Sequence, residues 1–319
     1  MRYEVIKRLA DTTDFISGES VSAAIGITRA ALWKHVKAMQ NDGAQIESAT
    51  NKGYRLIAPP DVPRAEYVKA YLTTNAAVFY EPSTPSTNDT AKQAAQDKHL
   101  TRAVFIAGEQ TAGKGRKGRR WVSPMGDGLY LSFLVRPTIE TERVSGLTLM
   151  AAVALCRAIE KTAGTVAGIK WPNDILIGNK KVAGILTESM LGMDGVEYVV
   201  CGMGINVNQN QFEDELKDKA CSLLMSGRSV NKTLLAAEII DTFFNAYDQF
   251  MREGLKAFMP VFREMSAICG EVTIVSPSGS DTGLFLGYDD TGAILIDCSG
   301  ETKRFIAGEV SLRGDNGYV

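Results

Sequence analysis

The sequence predicts an α+β chain of several domains: a winged helix-turn-helix first, a mixed-sheet α/β domain in the middle and a small all-β barrel last. Three observations carry this. The chain has 319 residues, more than the roughly 250 to 300 at which a single hydrophobic core stops growing. Pro59-Pro60-Asp61-Val62-Pro63 is a stiff segment that ends regular structure and separates the first 60 residues from the rest. The middle of the chain alternates strand-like with helix-like runs, whereas its end carries only short strands. Domains are therefore expected at residues 1–60, 64–268 and 269–319. Hydrophobic residues at 45% and charged residues at 23% supply packed cores and argue against disorder.

In the first domain, Ser20 to Ile25 reads as a short helix and Gly26 as the turn. Thr28 reads as the N-cap of a second helix reaching about Met39. On that helix Leu32, Val36 and Met39 recur at i, i+4, i+7 and face a core, which leaves Arg29, Trp33, Lys34 and Lys37 toward solvent. Gln45 to Leu56 alternates around Asn51-Lys52-Gly53, a hairpin with Lys52 at its tip and Arg55 close by. From Arg29 to Arg55 five basic residues stand against two acidic ones (5 − 2 = +3) in a chain of net charge −2. The net charge excludes a protein that coats nucleic acid uniformly, so phosphate contact must be local. Helix order and basic hairpin together make Arg29, Trp33, Lys34, Lys37 and Lys52 the candidate DNA contacts.

Central strands are expected over Ala103 to Ala107, Leu129 to Val135, Ile169 to Ile177, Lys181 to Glu188 and Glu197 to Val207. Helices are expected over Asn88 to Asp97, Val144 to Thr162 and Thr233 to Glu253. Gly178-Asn179-Lys180 joins two of the strands as a hairpin, so part of the sheet is antiparallel and a plain Rossmann fold is disfavoured. From Glu271 to Arg313, short strands are broken by Ser-Pro-Ser-Gly, Asp-Asp-Thr-Gly and Ser-Gly, the pattern of a small barrel. Cys156, Cys201, Cys221, Cys269 and Cys298 lack metal or disulfide spacing and read as buried free thiols; no metal-ligand set is assigned. No apolar run approaches the roughly 20 residues of a membrane span, and Met1 to Ala10 has no signal-peptide core, so a cytoplasmic protein without membrane contact is expected.

The chemistry concentrates after the strand at Ala103. Lys114, Arg116, Lys117, Arg119 and Arg120 place five positive charges in seven residues, interleaved with glycines beginning at Gly113. Such a backbone bends sharply and turns several amides toward one anion, which suits a polyphosphate. Gly108, Gly113 and Lys114 satisfy the first seven positions of a Walker A loop, but Gly115 stands where Ser or Thr must hold Mg²⁺. A P-loop NTPase is therefore disfavoured.

Gly113-Lys114-Gly115-Arg116-Lys117-Gly118-Arg119 resembles the Gly-Arg-Gly-Arg-Arg-Gly-Arg signature of biotin protein ligases. Ser86-Thr87-Asn88, Gln110, Lys170-Trp171-Pro172-Asn173-Asp174, Lys181-Val182-Ala183-Gly184-Ile185-Leu186 and Gly202-Met203-Gly204-Ile205-Asn206 follow in that family's order and spacing. With the winged helix and the barrel, which the resemblance makes SH3-like, nearly the whole chain is covered. It points to the bifunctional class that includes the biotin operon repressor.

The resemblance implies an ATP-dependent ligase that forms biotinyl-5'-AMP and passes biotin to a lysine of the biotin carboxyl carrier protein of acetyl-CoA carboxylase. It further implies Mg²⁺, operator DNA as a partner, biotinyl-AMP as corepressor and a homodimer on binding it. It assigns Ser86, Thr87, Asn88 and Gln110 to the ureido ring, whose donors and acceptor such polar groups can satisfy. Gly113, Lys114, Gly115, Arg116, Lys181 and Gly184 fall toward the carboxylate end, with Trp121 as an apolar wall. Arg116, Lys117, Arg119, Lys170, Asn173 and Asn206 fall to the nucleotide. Biotin's carboxylate is already ionised at neutral pH, so adenylation needs positioning and screening, here by Lys181 and Arg116. The acceptor amine, with an ordinary pKa of ~10.4, must lose a proton. Asp174 is the candidate to deprotonate it, to orient it or to reach the metal, and the sequence leaves these roles open. A biotin sensor without catalysis and a lipoate or octanoate transferase are the competing readings; intact Lys181, Arg116 and Asp174 oppose the first and the glycine-arginine loop the second. Lys114 and Lys117 depart from the family's usual arginines, keeping charge but losing the bidentate fork.

Overall fold

Caps and glycines set the N-terminal segment of the computed structural model, which describes residues 1–193, 195–276, 279–306 and 311–314. Helix α1 (Arg2–Ala10) precedes α2 (Gly18–Ile25), where Ser17 accepts from the Ser20 amide and Gly26 closes the helix at φ 69°. Thr28 accepts from the Ala31 amide and starts α3 (Arg29–Asn41), which buries Leu32, Val36 and Met39. Strands β1 (Gln45–Ala49) and β2 (Gly53–Ala58) form the antiparallel wing, with Asn51 at φ 63° in its tip. Segment 59–64 is followed by the short helix α4 (Ala65–Lys69). Its Tyr67 packs into the winged-helix core and donates to Asp42, while its Val68 joins the central core.

The central sheet has seven strands in the order β3-β4-β5-β9-β8-β7-β6. They are β3 (Ala77–Thr84), β4 (Arg102–Gln110), β5 (Gly128–Val135), β6 (Gly168–Lys170), β7 (Asp174–Ile177), β8 (Lys180–Gly192) and β9 (Gly195–Asn206). Among the described residues of this sheet only β3 and β4 pair in parallel, so the sheet is mixed. Because side chains alternate across a strand, odd positions of β5 and β9 enter the main core under α6 (Val144–Ala163) and α7 (Lys232–Glu253). Even positions face α5 (Thr87–Ala94), which covers only part of its side with Ala91, Phe105, Leu134 and Val200. The uncovered remainder of that face carries the site.

After α8 (Met259–Glu264), strands β10 (Glu271–Ser276), β11 (Gly279–Tyr288), β12 (Ile294–Cys298), β13 (Glu301–Phe305) and β14 (Ser311–Gly314) form an antiparallel sheet in the order β13-β12-β11-β10-β14. Val272, Ile274, Ile294 and Ile296 pack into the central core, and Trp171 Nε1 donates to Gly292 O at 3.0 Å. Among the described residues no pairing of β13 with β14 closes this sheet into the expected barrel. The Ser-Pro-Ser-Gly break falls partly outside the described residues, at 277 and 278.

Three expectations need correction. The run from Ile169 to Ile177 is two antiparallel strands, β6 and β7, because Trp171-Pro172-Asn173 turns the chain between them. The helix expected to run from Asn88 to Asp97 spans Thr87–Ala94, with Ala95 as its C-cap. The five cysteines are unpaired as expected, but Cys269, just before β10, is exposed and Cys298, the last residue of β12, is half-buried. No helix among the described residues is long and apolar enough to cross a membrane.

Candidate functional site

The uncovered sheet face has glycines in its floor. Gly184 on β8 and Gly202 and Gly204 on β9 point the same way, and a Cβ at Gly202 would collide with Asn88 Oδ1 while one at Gly204 would collide with Trp121 Nε1. The glycines let an amide and an indole lie against bare backbone. The start of α5 supplies one wall with Ser86, Thr87 and Asn88, all buried. Gln110 at the end of β4 supplies the next: its Oε1 accepts from the Thr87 amide at 2.9 Å and its Nε2 donates to Ser123 Oγ at 2.9 Å.

The basic loop folds over this floor as a small hairpin. Trp121 N donates to Gly113 O at 2.9 Å, Gly115 N donates to Arg119 O at 2.7 Å, and the tip turns through Lys117 at φ 55° and Gly118 at φ 71°. Lys114 pairs with Asp89 on α5 at 2.6 Å. Arg116 reaches inward and donates to Asn173 Oδ1 at 2.9 Å, and Asn173 Nδ2 donates in turn to Ile185 O at 2.9 Å. Burial pushes the Arg116 guanidinium down from its ordinary range, with Asp174 nearby opposing the shift. Lys181 Nζ stands 2.6 Å from Asp174 Oδ1 and 5.2 Å from the centre of the Trp121 ring.

Two clefts meet here. The smaller is lined by Ser86, Thr87, Asn88, Gln110, Lys114 and Gly184. The larger takes in Lys117, Arg119, Lys170, Asp174 and Asn206. Gly115, Arg116, Trp121, Asn173 and Lys181 line both. Every residue expected at biotin or nucleotide therefore borders one of the two clefts, except Gly113. Its role is steric, because a Cβ there would collide with Trp121 O and prevent the hairpin from closing. Asn206 is buried beneath the larger cleft, donating to Cys221 O at 3.1 Å and accepting from Gln209 at 3.3 Å.

Sequence reasoning missed several neighbours. Ser132, fully buried in β5, lies 2.7 Å from Thr87 Oγ1 and 2.6 Å from Asn88 Oδ1. Its signal was a small polar residue inside a strand of apolar and aromatic ones. Glu188, Asp127, Gln209 and Phe212 join the surroundings through strand order or loop packing and had no spacing to announce them.

On the winged helix, Arg29, Trp33, Lys34 and Lys37 are all exposed on α3, with Trp33 at 52%. Arg55 is engaged by Glu47 at 2.6 Å and lies over the Phe15 ring at 4.8 Å, while Lys52, 5.9 Å from the centre of the same ring, is exposed at the wing tip.

Residues 80–206 match the model of the biotin/lipoate A/B protein ligase family, residues 2–55 an HTH domain and residues 271–313 the biotin protein ligase C-terminal domain. The bifunctional ligase/repressor BirA of Bacillus subtilis is 36% identical over 306 residues, spanning 94% of this chain and 94% of that protein. The chain belongs to the family of bifunctional ligase/repressors. Another ligase/repressor, BirA of Escherichia coli, is 29% identical over 302 residues, again covering 94% of each. Among solved structures, a biotin protein ligase from Aquifex aeolicus in complex with biotin and ATP superposes with TM-score 0.66 at 29% identity. It covers 74% of this chain and 98% of that one. All three parts of a ligase/repressor are thus matched: reader, ligase sheet and C-terminal sheet.

Proposed function

We propose that the chain is a biotin–[acetyl-CoA-carboxylase] ligase that condenses biotin with ATP to biotinyl-5'-AMP, transfers biotin to the carrier-protein lysine, and represses the biotin operon with biotinyl-AMP as corepressor. The observation that carries the reading is the junction of the clefts. A bicyclic ring in the smaller cleft sends its carboxylate toward Lys181 and Arg116, where a nucleotide in the larger cleft brings its α-phosphate. The carboxylate oxygen attacks phosphorus and pyrophosphate departs, so negative charges converge at the start and spread at the end. Lys181 and Arg116 lower both costs from fixed positions. In the second step the carrier amine attacks the acyl carbon and AMP leaves. Asp174, already beside Lys181, is the carboxylate placed to orient that amine or take its proton.

Among the described residues no cluster of three metal-ligating side chains occurs, so Mg²⁺ fits as an ion carried in on the nucleotide's phosphates rather than as a resident one. Bound there, it would share the phosphates' charge, with Asp127, Asp174 and Glu213 the carboxylates lining that cleft. Residues 1–60 serve as the operator reader, 64–268 as the ligase domain and 269–319 as the C-terminal domain. A chain that acts on a carrier enzyme and on chromosomal operator works in the cytoplasm. The corepressor acts by favouring a homodimer, which sets two winged helices over two half-sites. Its anion neutralises the basic hairpin, and ordering that loop once leaves less entropy to lose at a subunit contact.

The test is incubation with ATP, a biotin carrier domain and either biotin or lipoate. Biotin-only labelling of the carrier is expected; lipoylation, or no acylation, overturns the reading. Sedimentation with and without biotinyl-AMP tests the dimer, for which an unchanged monomer–dimer constant is the refuting result.

A further inference from the structure

Glu188 lies on β8, on the same sheet face as Gly184 and Leu186, and belongs to none of the motifs above. Its Oε2 accepts from Asn88 Nδ2 at 2.7 Å and its Oε1 from Lys92 at 2.5 Å. Resting on the biotin reading of the smaller cleft, we propose that Glu188 is a positioning residue: it fixes the Asn88 amide with its oxygen inward, and so makes the wall an acceptor for ureido N–H groups.

The argument is one of donors and acceptors. An ionised carboxylate only accepts, so the Asn88 branch facing it must be Nδ2. The Leu186 carbonyl, 3.3 Å from the same nitrogen, supports that choice more weakly. Asn88 Oδ1 then faces Ser132 Oγ at 2.6 Å and must accept its one hydroxyl proton. Ser132 has no second proton, so at the 2.7 Å contact the Thr87 hydroxyl donates, in preference to its longer 3.1 Å contact with Gln110 Oε1. Gln110 Oε1 keeps the Thr87 amide as its donor. One carboxylate thus sets the direction from Asn88 through Ser132 to Thr87. It leaves spare lone pairs, on Asn88 Oδ1 and Thr87 Oγ1, at the cleft wall, where a cyclic urea offers two N–H donors. Without Glu188 only the longer Leu186 contact holds the amide, so it can turn over to present a donor instead, with Ser132 then accepting.

The experiment measures biotin affinity, adenylation kcat, and affinity for the two cyclic-carbamate analogues in which ring oxygen replaces one ureido N–H. For Glu188→Ala we expect biotin KM and Kd to rise about ten-fold, the worth of one hydrogen bond. The kcat at saturating biotin stays within about two-fold, and the preference for biotin over the carbamates shrinks by the same ten-fold. Lys92→Ala leaves the Asn88–Glu188 bond in place and should keep wild-type affinity. A Glu188→Ala protein with unchanged preference for biotin overturns the inference, as does a kcat loss without a KM change. Should that variant not fold, Glu188→Gln carries the same test: its single acceptor oxygen must choose between Asn88 and Lys92, so a partial loss of preference is expected and an intact preference overturns the proposal. Failure of the wild-type protein to bind biotin at all would instead overturn the underlying reading of the cleft.

Discussion

Lys181 holds its charge between two unlike partners, the Asp174 carboxylate at 2.6 Å and the face of Trp121 at 5.2 Å. Both hold the amino group in place, one by opposite charge and one by the ring's quadrupole. The lysine is therefore aimed before any substrate arrives, which is what electrostatic preorganisation requires. Lys181→Ala should slow adenylate formation by about 10²–10³-fold, as loss of one preorganised charge does at other sites. The side chain is partly exposed at 22%, so the fold should survive. Pyrophosphate release within a few-fold of wild type would remove Lys181 from the chemistry. The neighbouring Asp174 was legible as a candidate because it closes the motif Trp171-Pro172-Asn173-Asp174 and the acceptor amine calls for a carboxylate. Its role was not, because a motif does not separate a base from an orienting group or a metal ligand.

Elements whose signals are local were read well from the sequence. Thr28, Gly26 and the Gly178-Asn179 turn each encode a cap or hairpin within a few residues, and the structure places them accordingly. Strand β3 was missed because its pairing with β4 is parallel and non-local, and Pro82 interrupts its alternation. Trp171-Pro172-Asn173 was absorbed into a strand because apolar residues flank it on both sides. The site shows the same division: the glycine hairpin and Ser86-Thr87-Asn88 were visible, whereas Ser132 and Glu188 reach Asn88 only through the order β5-β9-β8. Gly113→Ala tests the hairpin as an element. The added methyl meets a backbone carbonyl that cannot swing away, so we expect biotin affinity to fall at least about ten-fold with the melting temperature little changed. Wild-type affinity would mean that the hairpin need not close as described. On α3, Lys34 and Lys37 flank Trp33 with no acidic residue in the helix. Neutralising either should lower the salt slope of operator binding by about 0.9, and an unchanged slope would take that residue off the phosphates.

At the scale of the whole molecule, the winged helix is tied to the ligase sheet at the start of α7. Asn231 Nδ2 donates to Pro59 O at 2.9 Å and Thr233 Oγ1 to Pro60 O at 2.6 Å. Between them Lys232, with its side chain only 7% exposed, pairs with Asp61 at 3.0 Å and donates to Gly126 O at 2.5 Å. Gly126 precedes Asp127, whose carbonyl accepts from Asn208 N at 2.6 Å, and Asp127 and Gln209 both line the larger cleft. One buried ammonium therefore joins the interdomain segment to two turns at the edge of the nucleotide side. Removing it leaves Asp61 its contact to the Lys232 backbone amide but strands the Gly126 carbonyl, so Lys232→Ala should cost about 1–3 kcal/mol. The decisive measurement is amide hydrogen exchange, which reports local opening. Exchange should quicken together in residues 59–64 and 124–128, although they are far apart in sequence. Lys232→Met keeps most of the stem and loses only the charge, so it should quicken both segments to a similar degree. If either variant loosens 59–64 while 124–128 stays protected, the lysine anchors the linker alone and the two regions are not joined through it.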